Sequence, residues 1–113
     1  MAKVLVIDDE PNVRRLLDML LRAQGYNVAL ADNGWTGLQL YLLEHPDVIL
    51  LDLNMPKLDG KAVLKQIRSV DSKQLVIVLT GDTRPETERE VRALGVSEFI
   101  IKGSSLQSLL CPT

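Results

Sequence analysis

Four apolar runs in this chain each end in a polar residue with chemical capacity. Val4 to Ile7 is followed by Asp8 and Asp9, Val48 to Leu51 by Asp52, Leu75 to Leu79 by Thr80, and Phe99 to Ile101 by Lys102. Short continuous apolar runs are what strands look like in a parallel sheet covered on both faces. Ligands of such sheets bind outside the carboxyl ends of the strands. One edge of the predicted sheet therefore collects three carboxylates, a hydroxyl and an ammonium. Crowded carboxylates repel one another, and a divalent cation relieves the repulsion. An all-oxygen site open to water suits Mg²⁺, with Mn²⁺ as an alternative. The sequence has no Cys/His cluster for zinc. A carboxylate is also a nucleophile toward phosphorus, and its product is an acyl phosphate. Phosphoryl transfer needs alignment and positive charge around the equatorial oxygens, which Lys102 and Thr80 can supply as donors. Each residue alone has a plainer reading. Asp8 and Asp9 would be helix caps, Thr80 a β-branched strand residue and Lys102 a solvated cation. Their joint occurrence, in order, points to an aspartate that becomes phosphorylated.

The elements that must position these residues alternate strand and helix. Strands are expected at 3–8, 27–31, 47–52, 75–80 and 97–101. Pro11 opens the first helix, where its missing N–H costs nothing, and Gly25 stops it in a left-handed conformation. Asn33 caps a second helix running to about Glu44, with Trp35, Leu38 and Leu42 on one face and Trp35 packed at its start. Pro46 ends it. Asp59 caps a third helix with Val63, Leu64 and Ile67 inward. Thr83 and Glu86 have the spacing of a capping box for a fourth, which Gly95 closes. Ser104 or Ser105 caps a short last helix that Pro112 ends. Such alternation implies a parallel sheet with right-handed crossovers. Five strands between two helix layers suit the doubly wound α/β fold in the order 2-1-3-4-5, the flavodoxin-like (βα)5 arrangement, rather than a closed barrel of roughly 250 residues. Its switch point between strands one and three brings Asp8, Asp9 and Asp52 together.

Composition narrows the function. A length of 113 residues suits one domain spanning 1–113, with any output domain absent or beyond this chain. A net charge of −2 leaves no basic footprint for nucleic acid. No segment approaches the roughly 18 apolar residues of a membrane span, and Asp8, Asp9 and Glu10 interrupt the one early apolar run, so no signal peptide is expected. The single cysteine, Cys111, excludes an internal disulfide and fits a reducing, cytoplasmic compartment. His45 reads as a solvated loop residue.

The motifs VLVIDDEP, LLDLNMPKLDG, VIVLTGD and FIIK, in that order over Lys3 to about Leu110, make the chain resemble the receiver domain of two-component response regulators. The resemblance implies Asp52 as phospho-acceptor, Asp9 as a direct Mg²⁺ ligand and Asp8 as a ligand through water. It also implies that the backbone carbonyl of Asn54 completes the metal site. Thr80 matches the switch hydroxyl, Lys102 the lysine that contacts the phosphoryl group, and Phe99 the aromatic whose ring orientation couples to that hydroxyl. The implied partners are a sensor histidine kinase or histidine phosphotransfer protein and an output domain or downstream protein. The implied output face combines helix four, strand five and helix five, a face compatible with a homodimer. Family members act as switches in phosphorelays and catalyse only their own phosphorylation and dephosphorylation. Asn54 and Asp82 flank the approach of the hydrolytic water and are expected to tune lifetime. One departure is Gly103, where the family has proline after the lysine; a trans bond is expected there, since a cis bond before a non-proline residue costs about 2.5–4 kcal/mol.

Two other classes compete. A receiver-like interaction module that works without phosphorylation would need none of these site residues. A small aspartate-nucleophile phosphatase would carry D-x-D after the first strand, whereas Asp8 and Asp9 are adjacent.

Overall fold

The computed structural model describes residues 2–55 and 58–101. Five strands, β1 (Lys3–Ile7), β2 (Asn27–Ala31), β3 (Val48–Asp52), β4 (Leu75–Thr80) and β5 (Glu98–Ile101), form one sheet in the order β2-β1-β3-β4-β5. All neighbouring pairs are parallel. The four helices among the described residues are α1 (Pro11–Ala23), α2 (Gly34–Glu44), α3 (Gly60–Val70) and α4 (Pro85–Ala93). The expected α/β doubly wound topology is therefore present. Lys102, Gly103, Cys111 and the short last helix lie outside the described residues.

The central strands are apolar on both faces because both faces are covered. Leu5, Ile7, Ile49, Leu51, Val76 and Val78 join Val63, Leu64, Ile67 and Val91 in one core cluster, with α2 contributing Tyr41. Val4, Val6, Leu50 and Leu79 point the other way and meet Leu17 of α1. Alternation of side chains along each strand thus feeds two cores from one sheet.

Local signals acted largely as expected. Gly25 and Gly95 have φ of 94° and 88°, closing α1 and α4. Asn33 accepts from the Thr36 N–H, and Asp59 from the Ala62 N–H, as helix caps. Two expectations need correction. The inward face of α2 is Gly34, Gly37 and Tyr41, while Trp35 and Leu42 are each 59% exposed. A Cβ on Gly34 would stand 2.7 Å from the Leu58 carbonyl oxygen, and one on Gly37 would stand 2.6 Å from Ile7 Cδ1. The start of α2 thus lies against the loop before α3 and its next turn against β1; Leu38 packs partly buried against the core as expected, whereas Trp35 and Leu42 face solvent. The Thr83–Glu86 capping box does not form either. α4 begins at Pro85, its N-cap Arg84 makes no side-chain cap bond, and Asp82 instead ties the helix start by accepting from the Arg84 N–H and the Thr87 hydroxyl.

Candidate phosphoryl and metal site

The strand register builds the site. Ile7 of β1 pairs with Leu51 of β3, so Asp8 follows Ile7 just as Asp52 follows Leu51. Asp52 in turn lies opposite Leu79, one residue before Thr80. Asp8, Asp52 and Thr80 are all buried, at 1%, 2% and 0% exposure, while Asp9 is half-buried and Glu10 exposed. One carboxylate oxygen from each of Asp8, Asp9, Glu10 and Asp52 lies within 4.8 Å of the others. Glu10 is the member that sequence reasoning missed; the unbroken run Asp8-Asp9-Glu10 was the available signal.

Backbone groups fix these carboxylates. The Asp8 N–H donates to the Ala31 carbonyl at 3.0 Å, extending the β1–β2 ladder by one residue. The Glu10 N–H donates to Asp8 Oδ1 at 2.9 Å, and Arg14 Nη1 donates to the Asp8 carbonyl at 2.7 Å. On β3, the Asn54 N–H donates to Asp52 Oδ1 at 3.2 Å. The loop after Asp52 then returns through the Gly60 N–H, which donates to the Leu53 carbonyl at 2.9 Å. Asn54 is exposed and sits at the rim.

Thr80 links the site to α4. Its Oγ1 accepts from the Asp82 N–H at 3.0 Å and, at a long 3.4 Å, from Asn54 Nδ2. A hydroxyl has two lone pairs and one proton, so the proton is what Thr80 has left to offer an incoming oxygen. Asp82 forms a compact latch. Its Oδ1 accepts from the Arg84 N–H at 2.9 Å, its Oδ2 from the Thr87 hydroxyl at 3.0 Å, and the Arg84 guanidinium binds both oxygens. These bonds, those from the Arg84 guanidinium first, hold the Asp82 carboxyl well below the usual aspartate range. A depressed folded-state value gives stability that is complete above the ordinary 3.8 and lost as pH falls through the folded value. The difference in melting temperature between the parent and Asp82→Ala should therefore be constant from neutral pH to about 4 and shrink only in stronger acid. Thermal melts across that range check it. Phe99, on β5, is partly buried against the main core, with the Arg92 guanidinium 6.0 Å above its ring.

The site residues from the sequence thus converge where the described chain can place them: Asp8, Asp9 and Asp52 in one cluster, with Thr80, Asn54 and Asp82 joined beside it. Phe99 stands apart on the edge strand. The donor set is entirely carboxylate oxygen, part buried and part reaching solvent. That suits a hard divalent cation that keeps water ligands, such as Mg²⁺, and not a thiolate or imidazole zinc centre.

A doubly wound parallel sheet with an acidic cluster at the β1/β3 switch point, a hydroxyl closing β4 and an aromatic on β5 defines a receiver-type domain. The chain belongs to the response regulator receiver domain family, whose model matches residues 4–111. It is 39% identical over 107 residues to the regulatory protein AtoC of Escherichia coli, covering 95% of this chain and 23% of that protein. The chemotaxis protein CheY4 of Vibrio cholerae superposes with a TM-score of 0.89 at 32% identity, covering 97% of this chain and 93% of that one. The response regulator TrrA of Thermotoga maritima, solved in complex with Mg²⁺-BeF, gives 0.85 at 31% identity, covering 96% and 93%. The chain spans about a quarter to a half of the length of the first curated relatives it matches. Among the described residues, no helix is long and apolar enough to cross a membrane.

Proposed function

We propose that this receiver domain accepts a phosphoryl group on Asp52 and passes the event to its α4–β5 side. The observation that carries the reading is the buried Asp52 carboxylate, held by the Asn54 N–H within 4.8 Å of three further carboxylates. Asp8, Asp9, Asp52 and the carbonyl of Asn54 would hold Mg²⁺, with Glu10 at the rim. The ion would supply positive charge against the phosphoryl oxygens and offset the repulsion within the cluster. The nucleophile is an Asp52 carboxylate oxygen, which forms a bond to phosphorus as the donor's leaving atom, the imidazole nitrogen of a phosphohistidine or the bridging oxygen of acetyl phosphate, departs with its electron pair. Thr80 donates its proton to one phosphoryl oxygen, and Lys102 offers charge to another.

The new dianion draws Thr80 Oγ1 toward Asp52 and away from the Asp82 N–H. The contact exists in one state only, which is the condition for shifting a two-state equilibrium. The donor is a phosphohistidine on a sensor kinase or phosphotransfer protein. The output is a further domain or a separate protein acting on the face that includes α4 and β5, where two copies can also pair. Residues 1–113 act as one receiver unit in the cytoplasm, without nucleic-acid contact of their own. The domain turns over no external substrate beyond its own phosphorylation and dephosphorylation.

Incubation with acetyl phosphate and Mg²⁺ tests the chemistry. The expected product is an acyl phosphate, cleaved by neutral hydroxylamine. An adduct that resists hydroxylamine would place the phosphate on a hydroxyl and contradict the reading. Lifetime is the second observable. Asn54→Ala should change the dephosphorylation rate without moving the melting temperature, because Asn54 is exposed at the rim. Asp82→Ala should change both, because it also breaks the α4 latch. Phosphoryl decay followed beside thermal melts separates the two effects.

A further inference from the structure

α4 is a nine-residue helix with two buried side chains, Thr87 and Val91, so apolar packing alone fixes its position weakly. Polar ties must do the rest. The Lys61–Glu90 pair at 2.8 Å joins α3 to α4, but both side chains are exposed, and such pairs are worth little. At the N-terminal end stands the Asp82 latch. At the other end stands Arg68 of α3, half-buried. Its Nε donates to the Leu94 carbonyl at 3.1 Å and its Nη2 to the Gly95 carbonyl. Its Nη1 donates to the carbonyls of Gln74 at 2.7 Å and Asp71 at 3.2 Å. One planar group therefore joins the end of α3, the entry to β4 and the exit from α4. A guanidinium can do this because it holds five donors in a fixed fork, and bonds from a charged donor are stronger than neutral ones. The left-handed turn at Gly95 (φ 88°) marks where the chain leaves α4 for β5.

We propose that Arg68 is a positioning residue for the switch. It pins the C-terminal end of α4 and the approach to β5, so movement begun at Thr80 and Asp82 pivots α4 about that point. The pivot carries Arg92, whose guanidinium is steered by Glu88 at 2.7 Å, across the ring of Phe99. The two ends of α4 thereby act as latch and hinge. The inference rests on the receiver function proposed above.

Hydrogen exchange read by mass spectrometry on the full chain tests it, with parent, Arg68→Met and Arg68→Lys, before and after acetyl phosphate with Mg²⁺. In Arg68→Met the amides around 94–98 should exchange at least about tenfold faster at rest, as expected for losing charge-assisted bonds. The central strands should be unchanged and phosphoryl uptake equal to the parent's. Phosphorylation should alter exchange at 82–87 and 98–101 in the parent, but only at 82–87 in Arg68→Met. Arg68→Lys should fall between them, because a point charge cannot reproduce the fork; it also carries the test if Arg68→Met fails to fold. A phosphorylation-dependent change at 98–101 that persists in Arg68→Met, parent-like exchange in Arg68→Lys, or acceleration spread evenly over the sheet would each overturn the proposal. If the parent takes up no phosphoryl group, the receiver reading fails, while resting exchange at 94–98 still decides whether Arg68 pins α4.

Discussion

Asp52→Asn should leave a folded chain whose phosphoryl uptake from acetyl phosphate falls to background. The substitution keeps the shape of a buried side chain at the end of β3, and an amide oxygen can still accept the Asn54 N–H that now binds Oδ1. What disappears is the anionic nucleophile, since a carboxamide oxygen attacks phosphorus poorly. Circular dichroism and intact mass, read together, separate loss of chemistry from loss of structure. Uptake at parent levels by Asp52→Asn would mean that another group is the acceptor.

Gly60→Ala should damage both stability and chemistry. A Cβ at this position would stand 2.5 Å from Leu53 Cα and 3.0 Å from the Asp52 carbonyl carbon, and closer still to the Asp52 carbonyl oxygen. All of these are backbone atoms, so no rotamer change relieves the clash. Overpacking of this kind costs about 1–3 kcal/mol, or more where the backbone must move. For a domain of this size that lowers the melting temperature by about 5 °C or more. The displaced backbone is that of the acceptor itself. A misplacement of about 1 Å can cost on the order of a hundredfold in rate, so labelling should slow even where the variant is folded. Gly81→Ala is the control. It also lies beside the site, following Thr80, yet a Cβ there meets nothing within 4 Å. Melting temperatures and labelling rates of the two variants side by side decide the matter; equal behaviour would contradict this account of the loop.

The positions most legible in the sequence were those where chemistry and burial coincide. Val4 to Ile7 and Val48 to Leu51 are apolar without alternation because both faces of the sheet are covered, so the polar residue ending each run stood out. Side chains that act through size or reach left weaker traces. The inward face of α2 is carried largely by Gly34 and Gly37, which have no apolar signal, so of the expected stripe Trp35, Leu38 and Leu42 only Leu38 packs against the core, while Trp35 and Leu42 face solvent. The start of α4 offered Thr83 and Glu86 in capping-box spacing, but Pro85 fixes the first turn one step later and Asp82 reaches forward to Thr87. Arg68 gave no local signal, because its carbonyl partners at Leu94 and Gly95 are distant in sequence. Glu10 was visible as an acid but not as a neighbour of Asp52, a relation that only the β1–β3 pairing creates.

The most direct test of the central claim is peptide mapping of the parent chain after acetyl phosphate treatment, with Mg²⁺ and with chelator. The account predicts one phosphoryl group, on the peptide that contains Asp52, formed with Mg²⁺ and reduced to background by chelator. A phosphoryl group on another residue, or uptake indifferent to the metal, would contradict it.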